Sequence, residues 1–154
     1  MSDNAQTAVL FQLEKIYVKD SSFEVPNAPQ VFLEQKAPEV GVQLTVGHGT
    51  VDAAQGIYES VLAVTVTAKS GDKNVFLAEV QQAGLFRIRG IPEGEIVKAL
   101  EIACPTVLLP FARQAINGLV ESGGFPQLLL APINFEALYQ QKQQQQAQPA
   151  ASAH

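Results

Sequence analysis

Two runs of alternating hydrophobic and polar residues lie between Ile57 and Ile88, and they predict a β-hairpin. The first run, Tyr58–Ala68, is joined to the second, Val75–Phe86, by the turn-rich segment Lys69–Asn74. Alternation with a period of two, with many β-branched residues between turn signals, is typical of half-buried strands. In the first run, one face carries Tyr58, Leu62, Val64 and Val66, and the other carries Glu59, Thr65 and Thr67.

The second run of the hairpin places one hydrophobic residue on the face that should meet water. One face carries Phe76, Ala78, Val80 and Phe86, and the other carries Leu77, Glu79 and Gln81. An apolar residue beside a carboxylate on an exposed face is either incidental or part of a binding surface. Leu77 and Glu79 are therefore candidates for contact with another molecule.

Two further runs that precede the hairpin also alternate. In Ala8–Lys19 the apolar face is interrupted by Lys15, which is more typical of an edge or subunit-contacting strand than of a central one. Pro38–Val46 is the most regular run, and the segment from Gly47 to Gly56 after it is predicted to be a glycine-rich loop. Four such strands with short connections predict an antiparallel sheet.

A long connection, Asp20–Lys36, separates the first two predicted strands. Pro26 and Pro29, together with two serines, are expected to exclude a helix and to interrupt any strand pairing. Long irregular segments in compact domains are usually functional. Because the connection is rich in large apolar residues (Phe23, Val25, Val31 and Phe32), we expect it to cross the sheet edge and cover a groove.

After Pro92 the apolar spacing changes to three and four residues, which predicts helices. The first is expected over Glu93–Ala103 and should end at Pro105, since proline cannot donate the next backbone hydrogen bond. The second, Thr106–Glu121, has a wide apolar arc and should end at the glycine pair that begins with Gly123.

The C-terminal region is predicted to contain one short helix and a tail. Asn134 is a good N-cap, and the helix after it carries Phe135, Leu138 and Tyr139 on one side. The glutamine- and alanine-rich residues 140–154 are predicted to be disordered, as is a flexible tail over residues 1–7. We therefore expect a single domain over residues 8–139.

Composition favours a protein that binds others through apolar surface. Hydrophobic residues make up 47% of the 154 residues and charged residues only 16%, whereas about 25% charged is usual. Such a chain is expected to bury surface between subunits or to keep it for a partner. The net charge of -5 and the lack of a Lys/Arg cluster disfavour nucleic acid binding.

The sequence is expected to belong to a cytoplasmic protein. The single cysteine, Cys104, cannot form an internal disulfide, and the first residues lack the basic and apolar regions of a signal peptide. No apolar run approaches the ~20 residues of a membrane span. These features indicate a reducing compartment and no direct membrane insertion.

Candidates for catalysis are few, and the sequence favours binding over enzymatic activity. His48 lies between glycines and is interpreted as a solvated loop residue rather than a base. Cys104 precedes Pro105 in an apolar region and is interpreted as a packing thiol. Neither a zinc-ligand spacing nor a phosphate-binding loop with its lysine occurs, so no metal and no cofactor are predicted.

Four motifs resemble the SecB family, the export chaperones of Gram-negative bacteria. They are Asn27-Ala28-Pro29-x-Val31-Phe32, Phe76-Leu77-x-Glu79-Val80-Gln81-Gln82-x-Gly84-x-Phe86, Cys104-Pro105-x-x-Leu108-x-Pro110-x-Ala112-Arg113, and Gly124-Phe125-Pro126-Gln127-Leu128-x-Leu130-Ala131-Pro132-x-Asn134-Phe135-x-x-Leu138. The resemblance runs in order from Phe11 to about Tyr139. It implies an α+β fold, in which a four-stranded antiparallel sheet carries a long helix and a C-terminal helix, assembled as a dimer of dimers.

The resemblance also implies a function and partners. SecB-like proteins hold newly made secretory precursors unfolded without ATP and deliver them to the translocase motor SecA, whose basic tail docks on an acidic patch of the outer sheet face. The matching positions here are Asp20, Glu24, Leu77 and Glu79. The opposite face of that strand, with Ala78, Val80 and Gln82, is expected to pack towards the long helix and the tetramer interface.

By the same resemblance, unfolded polypeptides should bind an apolar groove between the Asp20–Lys36 connection and the last helix. The expected lining is Phe23, Val25, Val31, Phe32, Val40, Val42, Leu44, Phe135, Leu138 and Tyr139. Several of these could instead fill the core, above all the helix-facing valines of Pro38–Val46. Two other functions stay open: a general or toxin-linked holdase of the same fold that does not use SecA, and a small-molecule enzyme that uses His48.

Overall fold

The computed structural model describes residues 8–147, which form an antiparallel four-stranded sheet with helices on one face. The strands are β1 (Leu10–Glu24), β2 (Glu39–Asp52), β3 (Ile57–Ser70) and β4 (Lys73–Arg89), and their spatial order is β1-β4-β3-β2. The α+β class and the antiparallel sheet are thus confirmed. The predicted tail over residues 1–7 lies outside the described residues.

The central hairpin β3–β4 has the two faces that its alternation predicts. Leu62, Val64 and Val66 are fully buried on the face that the helices cover, whereas Glu59, Thr65 and Thr67 on the other face are only partly buried. The hairpin turn is tighter than predicted, because pairing continues to Ser70 and Lys73 and leaves two residues between the strands. Gly71 supplies the positive φ of 62° that this short turn requires.

Both edge strands are longer than their composition predicts. The strand β1 continues through the two serines to Glu24, so that Asp20–Glu24 belongs to the sheet and not to the connection. The strand β2 continues through Gly47, His48 and Gly49 to Asp52, where a loop was predicted. In each case a neighbouring strand pairs with the extra residues, and this non-local pairing outweighs weak local β-propensity.

The expectation that the first strand lies at an edge is confirmed, since β1 pairs with β4 on one side only. Its register with β4 shifts between Leu13 and Lys15 and again between Val18 and Asp20. Each bulge inserts one extra residue into β1, which changes the face that the following side chains occupy. Strict alternation along Ala8–Lys19 therefore misassigns some of its side chains.

A continuous helical segment packs on the inner face of the sheet and replaces the two separate helices of the prediction. It consists of α1 (Glu93–Lys98), a π turn (Ala99–Ala103) and α2 (Cys104–Ser122). Pro105 does not end the helix, because the wider π turn immediately before it accommodates the missing backbone donor, with Cys104 N–H bonded to the Ala99 carbonyl. The helix ends at Gly123, as predicted.

The last helix, α3 (Phe135–Ala147), begins where the sequence indicates and ends later. Ala137 N donates to Asn134 Oδ1 at 3.0 Å, which confirms Asn134 as the cap. Residues 140–147 are helical, in contrast to the predicted disorder, because glutamine, lysine and alanine extend a helix that is already nucleated. Residues 148–154 of the predicted tail lie outside the described part of the chain.

A short 3₁₀ turn, Gln30–Leu33, lies within the connection between β1 and β2, which was expected to hold no helix. It follows the cis peptide bond between Ala28 and Pro29. Asn27 Nδ2 donates to the Asn74 carbonyl at 2.9 Å and ties the connection to the start of β4. The connection is thus an ordered element that holds Val31 and Phe32 beside the sheet.

Candidate functional site

The four residues matched to the partner-binding patch lie on the outer face of the sheet, away from the helices. In the β1–β4 register Glu24 is opposite Leu77, Ser22 is opposite Glu79, and Asp20 is opposite Gln81. Directly paired residues share a face, so Asp20, Glu24, Leu77 and Glu79 all belong to one surface. Glu24, Leu77 and Glu79 line a shared shallow depression with Ser22 and Thr65, and Asp20 extends the acidic surface along β1.

Four phenylalanines, from β1, the connection, β4 and the segment after α2, form an aromatic cluster at one end of the inner face. Phe23 and Phe76 have ring centroids 5.8 Å apart, Phe76 and Phe125 are 4.8 Å apart, and Phe125 stacks on Phe32 at 5.2 Å. Phe32 is still 49% exposed. The cluster is therefore anchored through Phe76 and Phe23 and open to solvent at Phe32.

Gly123, at the end of α2, allows this cluster to form. A Cβ atom at this position would overlap the Phe23 ring, so the close approach of the ring to the helix end depends on glycine.

Val25 and Val31 also pack against the core and are partly buried. A smaller depression beside the cluster is lined by Val31, Phe32, Pro38, Val75 and Phe125, together with the polar Glu34 and Lys36.

The inner face of β2 forms a partly uncovered apolar strip, which we call the furrow (Val40, Val42, Leu44 and Val46). These residues pair with Ala68, Val66, Val64 and Leu62, which are fully buried. Val40 and Val42 are nevertheless 45% and 43% exposed. The expectation that these valines are plain core is wrong for Val40 and Val42, because helix α2 packs on β3 and β4 and leaves this end of the edge strand β2 uncovered.

Helix α3 borders the other end of the furrow. A depression of about 420 Å³ lies between β2 and α3, with Leu44, Val46, Phe135, Leu138 and Tyr139 among its lining residues. Phe135 is only 2% exposed and belongs to the core, whereas Leu138 is 41% exposed. The structure thus places the predicted groove residues in two apolar regions, the aromatic cluster and the α3 depression, with the furrow between them.

The residues expected at the oligomer interface lie inside the subunit. Ala78, Val80 and Gln82 are 2%, 0% and 2% exposed on the inner face of β4, against which α2 packs. Gln82 Nε2 donates to the Tyr17 carbonyl at 3.1 Å, so its buried amide is paired. The expected packing towards the helix is observed. The expectation that these side chains contact a second subunit is wrong, because the chain's own atoms already cover all three.

Glu101, His48 and Lys142 form a polar cluster that the sequence did not reveal. Glu101 Oε1 lies 3.2 Å from Lys142 Nζ and 3.4 Å from His48 Nε2. His48 is therefore a strand residue beside a carboxylate and not a loop residue, although it is exposed to solvent as expected. The three residues come from β2, the π turn and α3, and their separation in the chain leaves no local signal.

A second unpredicted network joins β1 to β3 on the outer face. The Tyr17 hydroxyl donates to a Glu59 carboxylate oxygen, and Lys19 Nζ lies 2.8 Å from the other oxygen. Burial, followed by the hydrogen bond to Glu59, raises the pKa of Tyr17 to about 12. The hydrogen bonds from Lys19 and Tyr17 lower the pKa of Glu59 below its usual value. This network fixes the edge strand across β4.

Reactive and metal-binding groups are sparse in the part of the chain that the structure describes. Cys104 is fully buried, and burial raises the pKa of its thiol to about 12, which agrees with a packing role. Among residues 8–147, no group of three or more His, Cys, Asp or Glu side chains is placed to hold a metal ion. Within the same residues, no helix has both the length and the apolar character to cross a membrane.

Comparison with known proteins identifies the family. The family described as "Preprotein translocase subunit SecB" matches residues 4–146. The Protein-export protein SecB of Chromobacterium violaceum is 52% identical over 148 residues, which cover 96% of this chain and 97% of the relative. That of Neisseria gonorrhoeae is 48% identical, with 96% and 98% of the two chains covered.

A likeness to a solved structure supports the fold. A SecB-like chaperone of Mycobacterium tuberculosis, in complex with a peptide from an antitoxin, superimposes with a TM-score of 0.67. The match covers 80% of this chain and 91% of that one, at 16% sequence identity. The sheet with its packed helices, the family match and relatives that are about half identical over nearly the whole chain lead to one conclusion: this chain belongs to the SecB family.

Proposed function

We propose that this protein is an ATP-independent chaperone for protein export, which holds secretory precursors unfolded in the cytoplasm and delivers them to SecA. One observation carries the proposal: a partly uncovered apolar furrow and an acidic patch with Leu77 occupy opposite faces of one sheet. Two binding surfaces that do not overlap allow a client and a motor to be bound together. Membership of the SecB family supports the assignment.

The inner face supplies the proposed client site. Val40, Val42 and Phe32 are each more than 40% exposed, and an extended apolar segment that covers them removes their surface from water. Full burial of such a side chain is worth about 1.5–3 kcal/mol, so covering the exposed half of each contributes about 1 kcal/mol. Because this gain does not depend on the order of client residues, unrelated precursors can bind.

The outer face supplies the proposed SecA site. Asp20, Glu24 and Glu79 present carboxylates along one stretch of β1 and β4 and attract a basic partner segment, and Leu77, opposite Glu24, adds an apolar contact beside them. Complementary charge mainly accelerates association and selects the partner. The net charge of -5 acts in the same direction.

Assembly as a dimer of dimers is supported by exposed apolar side chains on the edge strand β1 and at Val9 just before it. Val9, Phe11, Leu13 and Val18 are 68%, 42%, 39% and 48% exposed, and an edge strand can pair with a second copy. A single client segment binds weakly, since ordering it costs about 2–5 kcal/mol. Repetition of the furrow on four subunits raises avidity by roughly 10²–10⁴.

Charge reversal on the outer face tests the assignment. The variants Glu79→Lys and Asp20→Lys should lose SecA binding and still slow the refolding of a urea-unfolded precursor. Glu93→Lys, at the start of α1, is the matched control and should retain both activities. Unchanged SecA affinity in the Glu79 and Asp20 variants would exclude the patch. Client binding without any SecA binding in the wild type would favour a holdase with another recipient.

A further inference from the structure

Helix α3 is attached to the rest of the subunit at two points on one side. Phe135 in its first turn is 2% exposed, and Lys142 Nζ lies 3.2 Å from Glu101 Oε1. Positions seven residues apart are two turns apart and share a side of the helix. Leu138 and Tyr139 lie between them on that side and line the same depression as Leu44 of the furrow.

The acceptor at the second attachment point is held in place. Glu101 belongs to the π turn, and its side chain is only 11% exposed. The adjacent Leu100 is buried, and its carbonyl accepts a hydrogen bond of 3.5 Å from Ser60 Oγ of β3. His48 Nε2 lies 3.4 Å from the same carboxylate oxygen that Lys142 contacts. The carboxylate is thus positioned by the sheet, whereas the lysine is carried by α3.

The second half of α3 has little else to hold it. In the described helix, Phe135 is the one buried side chain, and six of the seven residues from 141 to 147 are glutamine or lysine. Since residues 140–147 bury no apolar side chain, the Lys142–Glu101 pair is the charged contact that holds this half against the π turn.

We propose that the Lys142–Glu101 pair is an ionic latch that keeps α3 over the end of the furrow, and that its release turns α3 about Phe135 and widens the furrow for an entering chain. The identity of the entering chain rests on the proposed function. The latch itself rests on the contacts of Phe135 and Lys142. The two attachments differ in kind: salt screens a partly exposed ion pair but does not weaken an apolar contact, so salt should open the latch and leave Phe135 buried.

Amide hydrogen exchange of the full-length protein tests the latch without a client. In the variant Lys142→Gln, which keeps helix propensity, the segment 138–147 should exchange about 2- to 5-fold faster than in the wild type, the range expected for loss of a partly exposed ion pair. Raising NaCl should accelerate exchange in the wild type and not in the variant. Lys98→Gln, which removes the exposed pair with Glu95, is the matched control and should leave α3 unchanged.

A charge swap separates a latch from a general structural effect. Glu101→Lys alone should accelerate exchange of α3, and its combination with Lys142→Glu should restore slow exchange. If Lys142→Gln exchanges at the wild-type rate and salt has no effect, the latch is wrong. If the swap does not restore slow exchange while both single variants fold, the contact is not an ionic latch.

Association with reduced, carboxymethylated α-lactalbumin, a permanently unfolded polypeptide, tests the effect on the furrow. Stopped-flow association should be about 2- to 5-fold faster for Lys142→Gln than for the wild type and unchanged for Lys98→Gln. Faster exchange with unchanged association would overturn the widening of the furrow. Faster exchange with no binding by any variant would support the latch and contradict the proposed function.

Discussion

Glu24 of β1 lies directly opposite Leu77 of β4, although 53 positions separate them in the chain. The pairing places an acidic and an apolar side chain next to each other on the outer face, where neither is covered by a helix. Along β4 the next residue, Ala78, is on the inner face and 2% exposed. One strand therefore contributes to the acidic patch and to the core through alternate residues.

The first prediction tests whether SecA and clients bind opposite faces of the sheet. The variant Leu77→Ala should weaken SecA binding by about tenfold, equivalent to about 1.4 kcal/mol, because it removes the apolar side chain of the patch. Isothermal titration calorimetry measures the affinity. The free energy of unfolding should change by less than for a buried leucine, since Leu77 is only partly buried. Weakened client binding in this variant would contradict the assignment of clients to the inner face.

The second prediction concerns the furrow. Val42→Asp should lower the free energy of unfolding by about 1 kcal/mol, because Val42 is 43% exposed and loses only partly buried apolar surface, and should abolish most of the holdase activity. Leu62→Ala on the adjacent buried strand is the contrasting variant and should cost about 2–5 kcal/mol of stability. Urea unfolding and a refolding assay measure the two effects. Full holdase activity of Val42→Asp would exclude the furrow as the client site.

The third prediction is the pH dependence of the Tyr17–Glu59–Lys19 network. The pKa of Glu59 is lowered in the folded state, so its contribution to stability is present above the unfolded value of about 4.5 and is lost as the pH falls. The pKa of Tyr17 is raised to about 12, so its contribution is present below pH 10 and is lost between about pH 10 and 12.

The variant Tyr17→Phe should therefore lose about 1.5 kcal/mol of stability at neutral pH, since it removes a hydrogen bond to a charged group. It should also lack the wild-type decline in stability above pH 10. Denaturant unfolding at a series of pH values measures both effects. Equal alkaline profiles for the variant and the wild type would contradict the role of this hydroxyl.

The fourth prediction tests the close approach at Gly123. Gly123→Ala places a methyl group on the Phe23 ring and should cost about 1–3 kcal/mol, the usual range for overpacking. Gly94→Ala is the matched control, because its added Cβ would meet nothing within 4 Å. Thermal unfolding compares the two variants. An equally stable Gly123→Ala protein would show that the aromatic cluster tolerates displacement of Phe23.

The fifth prediction concerns assembly. Static light scattering of the wild type should give about four times the chain mass of 16.5 kDa. Leu13→Lys on the free edge strand should lower that mass, because a charge on an edge strand opposes pairing with a second copy. Lys15→Gln on the same strand is the control. A wild-type protein that is monomeric would remove the avidity argument.

The sequence by itself determined the faces of the central hairpin and the start of the last helix. Alternation along β3 and β4 reports the burial of Val64, Val66 and Val80, because side chains of any strand point to opposite faces in turn. Asn134 identifies its helix because a side-chain cap is a contact between near neighbours. The motifs shared with the SecB family indicated the family of this chain, since a motif is defined by residue types at fixed spacings along the sequence.

Only the tertiary structure decided which apolar residues are covered. Val42 and Val66 are directly paired and belong to equally regular strands, yet Val66 is fully buried and Val42 is 43% exposed. Likewise, the contact between Glu101 and Lys142 and the extension of β1 to Glu24 depend on partners far away in the chain. Local patterns specify the direction of a side chain, but its burial depends on which distant element packs over it.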